Sequence, residues 1–303
     1  MSSEQSIPNE GEQAVPTGKL DLIARQLVEG LMMGRHRSPF KGSSVEFVEH
    51  REYYPGDEIR HIDWRAFGKT GRYYIKEFED ETSLRSQILV DASGSMKYAG
   101  KSSSKFRYAS ALAASLAWLL LSQRDSVGLT TFDSKIRDQL RQSSNREVFR
   151  QMAQVLEDTT PGNDTSLGKV IESALPSIRR RSLLILISDC FDSLEAIESA
   201  LQRCRHAKHE VVLFQIAAPE EMEFPFERPT QFRNFEDTDN RLLVDPARLR
   251  KEYLRQYTEF SEGLVKLCGR LAIDHCVVKT SDPLQEVLGN WLAERMSLQA
   301  NRR

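Results

Sequence analysis

The chain has 303 residues, with 42 Lys and Arg set against 44 Asp and Glu, for a formal net charge of -2. That balance argues against a general nucleic-acid binder, which carries a basic excess or a basic face. Four cysteines without a CxxC pair argue against a disulfide scaffold, and the longest apolar run, at about 109–121, is too short for the roughly 20 apolar residues of a spanning helix. Residues 1–17 lack apolar periodicity and read as a disordered tail without a secretory signal. Leu20, Ile23, Leu27, Val28 and Leu31 have helical spacing and predict a short amphipathic helix over about 18–33. Residues 35–70 are rich in Gly, Pro, Arg, aromatic and acidic residues and show no clear period, while 72–79 read as a strand.

From about residue 86 the pattern becomes regular. Apolar runs at 87–91, 127–132, 182–189, 210–217 and 275–280 read as strands, with a short edge strand at about 136–140. Helical patterns lie between and after them, at about 104–123, 145–157, 166–179, 192–207, 246–270 and 283–297. Such alternation predicts an α/β fold, a doubly wound and mostly parallel sheet with helices on both faces. The predicted organisation is an N-terminal lobe at 18–81 packed on an α/β domain at 82–298, with 218–243 as a small packed excursion. Ligands of such folds gather at the carboxyl ends of the strands. Asp91 and Asp189 stand at those ends.

Asp91-Ala92-Ser93-Gly94-Ser95 places one carboxylate and two hydroxyls on a single turn. These are hard oxygen donors suited to Mg2+ or Mn2+. The same residue types also make helix caps. Two further segments favour the metal: Pro161 to Ile171, with Thr165 at a helix start, and Leu183 to Cys190, with Asp189 at a strand tip. Three other chemistries compete for these residues. Gly100-Lys101-Ser102 is similar to the end of a phosphate-binding loop, but the Gly required five residues earlier is Ser95. Without that register, Gly100 to Lys105 reads as a solvated loop. An aspartyl phosphotransferase would place a second Asp where Ser93 stands. A serine hydrolase lacks both its Gly-x-Ser-x-Gly turn and a strand-end His.

Asp91-x-Ser93-x-Ser95, Thr165 and Asp189, in this order, resemble the metal-ion-dependent adhesion site of the von Willebrand factor A domain. The resemblance implies that Ser93, Ser95 and Thr165 supply hydroxyl ligands, and that Asp91 and Asp189 act largely through water. It implies bound Mg2+, or Mn2+ or Ca2+, with one position open to an Asp or Glu of a protein partner. One departure is Cys190, where such domains frequently have Gly.

Arg51-x-Tyr53-Tyr54-Pro55-Gly56-Asp57-x-x-Arg60-x-Ile62-Asp63-Trp64 precedes the sheet. Arg51, Asp57, Arg60 and Asp63 can form an ion-pair network around the Pro-Gly turn, beside Tyr54 and Trp64. The segment then either staples the lobe or docks a partner. It resembles the signature of a bacterial family, domain of unknown function 58. Further agreeing pieces are Glu220 to Phe226, Asp245-Pro246, Tyr253, Cys268 and Thr280-x-Asp282-Pro283-Leu284, so that the likeness spans about 35–297. Many members carry a membrane hairpin, which this chain lacks; a cytoplasmic form without membrane insertion is expected. The resemblance implies a non-enzymatic, divalent-cation-dependent adaptor or co-chaperone beside a MoxR-type AAA+ ATPase. The alternative is a metal-dependent hydrolase or nucleotidase using the same strand-end carboxylates.

Overall fold

A computed structural model describes residues 19–34, 47–52, 64–78, 84–164, 166–178, 181–226, 230–233, 241–244 and 246–300. The chain divides into two units, one of residues 1–35 and 84–303 and the other of residues 36–83. In the smaller unit, β1 (Phe47–Glu52) pairs antiparallel with β2 (Tyr74–Phe78), and α2 (Trp64–Thr70) lies between them in sequence. Trp64 is exposed and meets Phe67 edge-on at 6.2 Å, and Phe67 stacks on Tyr73 at 4.4 Å.

The larger unit is built on one six-stranded sheet. Its strands are β3 (Arg85–Asp91), β4 (Ser126–Phe132), β5 (Ile136–Ser143), β6 (Leu183–Ser188), β7 (Glu210–Ala217) and β10 (Asp274–Lys279). Their order across the sheet is β10-β7-β6-β3-β4-β5, all parallel except β5, which runs antiparallel to β4 at the edge. The predicted α/β class and mostly parallel sheet are what the structure has. Strands β6 and β7 are nearly continuous apolar runs because both faces of the sheet are covered. Edge strand β5 instead carries Arg137, Asp138 and Arg141, charges that discourage pairing with another chain.

The pleat sends alternate residues to opposite faces. Leu89, Leu184, Leu186, Val211 and Leu213 pack with α5 (Leu167–Ala174), α6 (Leu194–His206) and α8 (Pro246–Arg270). The opposite face is covered by α3 (Lys105–Ser122), flanked by α1 (Leu20–Gly34), α4 (Glu147–Asp158) and α9 (Leu284–Ala300). Helix α3 is buried on nearly every side, as its Ala-Leu sequence requires. Helix α1 therefore groups with the α/β unit through α3, α4 and α9, rather than with the N-terminal lobe in which its sequence position placed it. The excursion after β7 holds α7 (Pro219–Glu223) and a hairpin of β8 (Thr230–Arg233) and β9 (Arg241–Val244).

Ser104 caps α3, its hydroxyl accepting the Arg107 N–H at 3.2 Å. Ser104→Ala should lower the unfolding free energy by about 1 kcal/mol, read as a shifted urea midpoint at unchanged slope. All four cysteines are free, and burial pushes the Cys204 and Cys268 thiols up to about 12 and about 11. Such thiols are protonated at neutral pH and poorly nucleophilic.

Candidate functional site

From β3 the chain crosses toward β4, and from β6 toward β7, on the other side of the sheet. The neighbouring pair β3 and β6 is thus the topological switch point, where the departing loops leave a crevice. Asp91 closes β3, and Asp189 follows the last residue of β6. The two sequence-predicted carboxylates are brought together by strand pairing, with Val90 in register with Ile187.

Asp91 is fully buried. Its Oδ1 accepts the Ser93 N–H at 2.9 Å and its Oδ2 accepts the Ser188 hydroxyl at 2.6 Å. Burial, and next the charge of Asp189, push the Asp91 carboxyl up to about 7, against the hydrogen bonds from Ser188 and Ser93. A negative charge here is short of compensation. Ser93 opens a single 3-10 turn at Gly94–Lys97 without making a side-chain cap bond. Its hydroxyl lies 3.2 Å from that of Ser95 instead, so Ser93 does not serve as a side-chain cap. The loop at 161–164 is pinned to this turn through Gly162 N–H to the Ala92 carbonyl and Gly94 N–H to the Asn163 carbonyl, each at 2.8 Å. Asn163 also donates to Asp133, a buried strand-end carboxylate that sequence reasoning did not single out, at 2.7 Å. Thr165 lies outside the described residues.

Asp189 has a partner that sequence reasoning missed. The Lys105 ammonium donates to Asp189 Oδ2 and to Glu221 Oε1, at 2.7 Å each. Gly100 to Lys105 was expected as a solvated loop; Lys105 is instead 1% exposed and opens α3. Burial opposes its charge, but Asp189 and Glu221 outweigh burial and hold the ammonium above its usual range. Glu221 is fixed in turn because its Oε2 accepts the Ala218 N–H at 2.9 Å, as a third-position carboxylate does at a helix start. One signal was available in the sequence. A lysine in the first turn of a helix opposes the helix dipole and calls for acidic partners.

Cys190 has φ of 58°, in the left-handed region that favours Gly. This backbone turns the chain just after Asp189, allowing Asp189 Oδ1 to accept the Phe191 N–H at 3.2 Å.

Two carboxylates and two hydroxyls make a hard oxygen set, and the under-compensated Asp91 charge is what a divalent cation would relieve. The described residues therefore fit Mg2+, Mn2+ or Ca2+. Among the described residues, no group of three or more His, Cys, Asp and Glu gathers to hold a metal, so a cation here depends on the hydroxyls as well.

The family profile described as "Protein of unknown function DUF58" matches residues 49–262. The chain belongs to the DUF58 family. This DUF58 chain is 24% identical over 241 residues to uncharacterized proteins of Mycobacterium tuberculosis and Mycobacterium bovis, covering 78% of this chain and 75% of each relative. Among solved structures it is similar to the conserved hypothetical protein BatB of Bacteroides thetaiotaomicron, at 19% identity and a TM-score of 0.46 over 71% of this chain and 99% of that one. It is also similar to an aerotolerance-related membrane protein of Bacteroides fragilis, at 18% identity and a TM-score of 0.46 over 68% of this chain and 97% of that one. A third likeness is to the von Willebrand factor domain of the pilus tip protein Mfa5 of Porphyromonas gingivalis, at 12% identity and a TM-score of 0.36 over 71% of this chain and 95% of that one. These scores are low, and the fold class rests on the strand order itself. The cytoplasmic placement expected from the sequence is corrected by the membrane description of the Bacteroides fragilis protein. Among the described residues, no helix is long and apolar enough to cross a membrane.

The remaining predicted residues fall in the smaller unit. Arg51 lies in β1 with its backbone opposite Ile75, and Trp64 begins α2. Tyr54, Asp57, Arg60 and Asp63 lie outside the described residues, as does the side chain of Arg51. At the would-be phosphate loop, the Lys101 N–H donates to Glu220 Oε1 at 2.8 Å, and a Cβ on Gly100 would collide with that carboxylate. Glu220 thus puts negative charge where a phosphate would need amides.

Proposed function

We propose that this DUF58 chain is a protein-binding adaptor whose docking is governed by a divalent cation. The observation that carries the reading is the convergence of Asp91, Ser93, Ser95 and Asp189 at the switch point, with Asp91 under-compensated. These residues, with Thr165, would hold the ion. A cation held there would supply a Lewis acid able to bind an Asp or Glu of the partner. Ser188 and the Ser93 amide hold the Asp91 carboxylate in place. Lys105 holds one Asp189 oxygen and the Phe191 N–H the other, which fixes the carboxylate at the strand end. The Ser93 hydroxyl pairs with the Ser95 hydroxyl, an arrangement that does not activate a nucleophile. We read the site as one for binding.

From the family resemblance of the 51–64 segment, we propose a MoxR-type AAA+ ATPase as partner and a co-chaperone role beside it. Affinity capture with Mg2+ present should recover the ATPase. Chelator, or Ser93→Ala, should abolish recovery. Capture indifferent to chelator contradicts the reading, and Mg2+-dependent ATP hydrolysis by the purified chain would favour the hydrolase alternative.

A further inference from the structure

Beside Asp189 a cleft of about 380 Å³ opens between the ends of β6 and β7 and the middle of α8. It is larger than one side chain needs, and its lining has a definite sign. Lys105 is the one cation among the described residues that line it, set against Asp189, Asp192 and Glu221. Lys105 is already held by two of those carboxylates and is buried at the floor. The cleft is therefore net negative where a ligand would sit.

The facing wall is aromatic. Tyr253 and Tyr257 stand one turn apart on α8, with ring centroids 6.3 Å apart and planes 22° from parallel, and Phe260 follows. Burial raises both tyrosine hydroxyls above their usual range, and the charge of Glu221 raises them further, against Lys105. The negative field of the floor thus reaches the rings. At the mouth, Phe191 is 70% exposed, an aromatic anchor of the kind found at protein interfaces.

An anion would be repelled from this cleft, and an apolar group would bury three carboxylates against a single ammonium. A compact ammonium is strongly hydrated and would give up that hydration on entry. A guanidinium fits better: it is planar, weakly hydrated, stacks on aromatic faces and pairs with carboxylates. We propose that this cleft binds an arginine side chain presented by a protein partner. Asp189 is shared with the cation reading, but Asp192, Glu221, Tyr253 and Tyr257 are not among the proposed ion ligands, and with Asp189 set aside the lining still holds two carboxylates against one ammonium.

The test is a titration of the full chain with N-acetyl-arginine methylamide, followed by amide chemical shifts. It is done in chelator, so that failure belongs to the cleft and not to the ion site. Saturable shifts are expected at 189–192 and 253–260. The neutral isostere N-acetyl-citrulline methylamide should bind about tenfold more weakly. Tyr257→Leu keeps the floor ion pairs and should weaken arginine binding by about three- to tenfold. Glu221→Gln should weaken it as well. Equal binding of citrulline and arginine, shifts confined to other regions, or unchanged affinity in Tyr257→Leu would overturn the proposal.

Discussion

Lys105→Met is expected to cost about 3–5 kcal/mol of stability in metal-free protein, because it leaves Asp189 and Glu221 without their shared cation. Methionine keeps the length and packs well, so the loss is one of charge rather than of volume. For a domain of this size, that corresponds to a melting point lower by roughly 6–20 °C. The same variant frees the second Asp189 oxygen. Mg2+ should therefore restore more stability to Lys105→Met than it adds to the parent protein. Thermal unfolding with and without Mg2+ checks both effects. A loss below about 1 kcal/mol would mean that the ammonium is no more than a surface-like partner.

Asp91→Asn should raise the stability of metal-free protein at neutral pH, the reverse of the usual effect of altering a buried, hydrogen-bonded residue. The Asp91 carboxyl is pushed from 3.8 up to about 7 in the folded protein. Between these values the unfolded chain sheds a proton that the folded chain keeps. Folding stability therefore falls as pH rises from about 4 to about 7, at about 1.4 kcal/mol per unit, and the full cost of about 4 kcal/mol is present above pH 7. Asparagine does not titrate. It keeps an oxygen for the Ser93 amide and can donate to the Ser188 hydroxyl. In chelator, parent and variant should be similar near pH 4, and the variant more stable by up to about 4 kcal/mol near pH 7.5. Denaturant unfolding at the two pH values decides this. A variant less stable than the parent at pH 7.5 in chelator would show that Asp91 is compensated in some other way.

The α/β class was legible because buried parallel strands are continuous apolar runs, and 183–188 and 210–217 have no other sensible reading. The site turn was legible because Asp91, Ser93 and Ser95 are local in sequence. Lys105 and Glu221 were not. Their bond joins residues 116 apart, and a lysine in a Ser-rich stretch is ordinarily solvated. Only its place in the first turn of an apolar helix hinted otherwise. Helix α1 was assigned to the lobe that follows it because chain order was the only guide; its partners α3, α4 and α9 are distant in sequence. Helix α7 and the β8–β9 hairpin, with elements of 4–5 residues, are too short to show a period.

We propose that Asp91, Ser93, Ser95 and Asp189, with Thr165, hold a divalent cation. Calorimetric titration of the purified chain with Mg2+ at pH 7.5 tests it most directly, beside Asp91→Ala and Ser93→Ala. Saturable binding of one ion by the parent is expected. Excess Mg2+ should then stabilise the fold, by about 2.7 kcal/mol at a hundredfold excess over Kd. Both variants should bind at least about tenfold more weakly, as loss of one direct ligand or of the buried charge requires. No heat and no stabilisation with either Mg2+ or Mn2+, or equal binding by the variants, would contradict it.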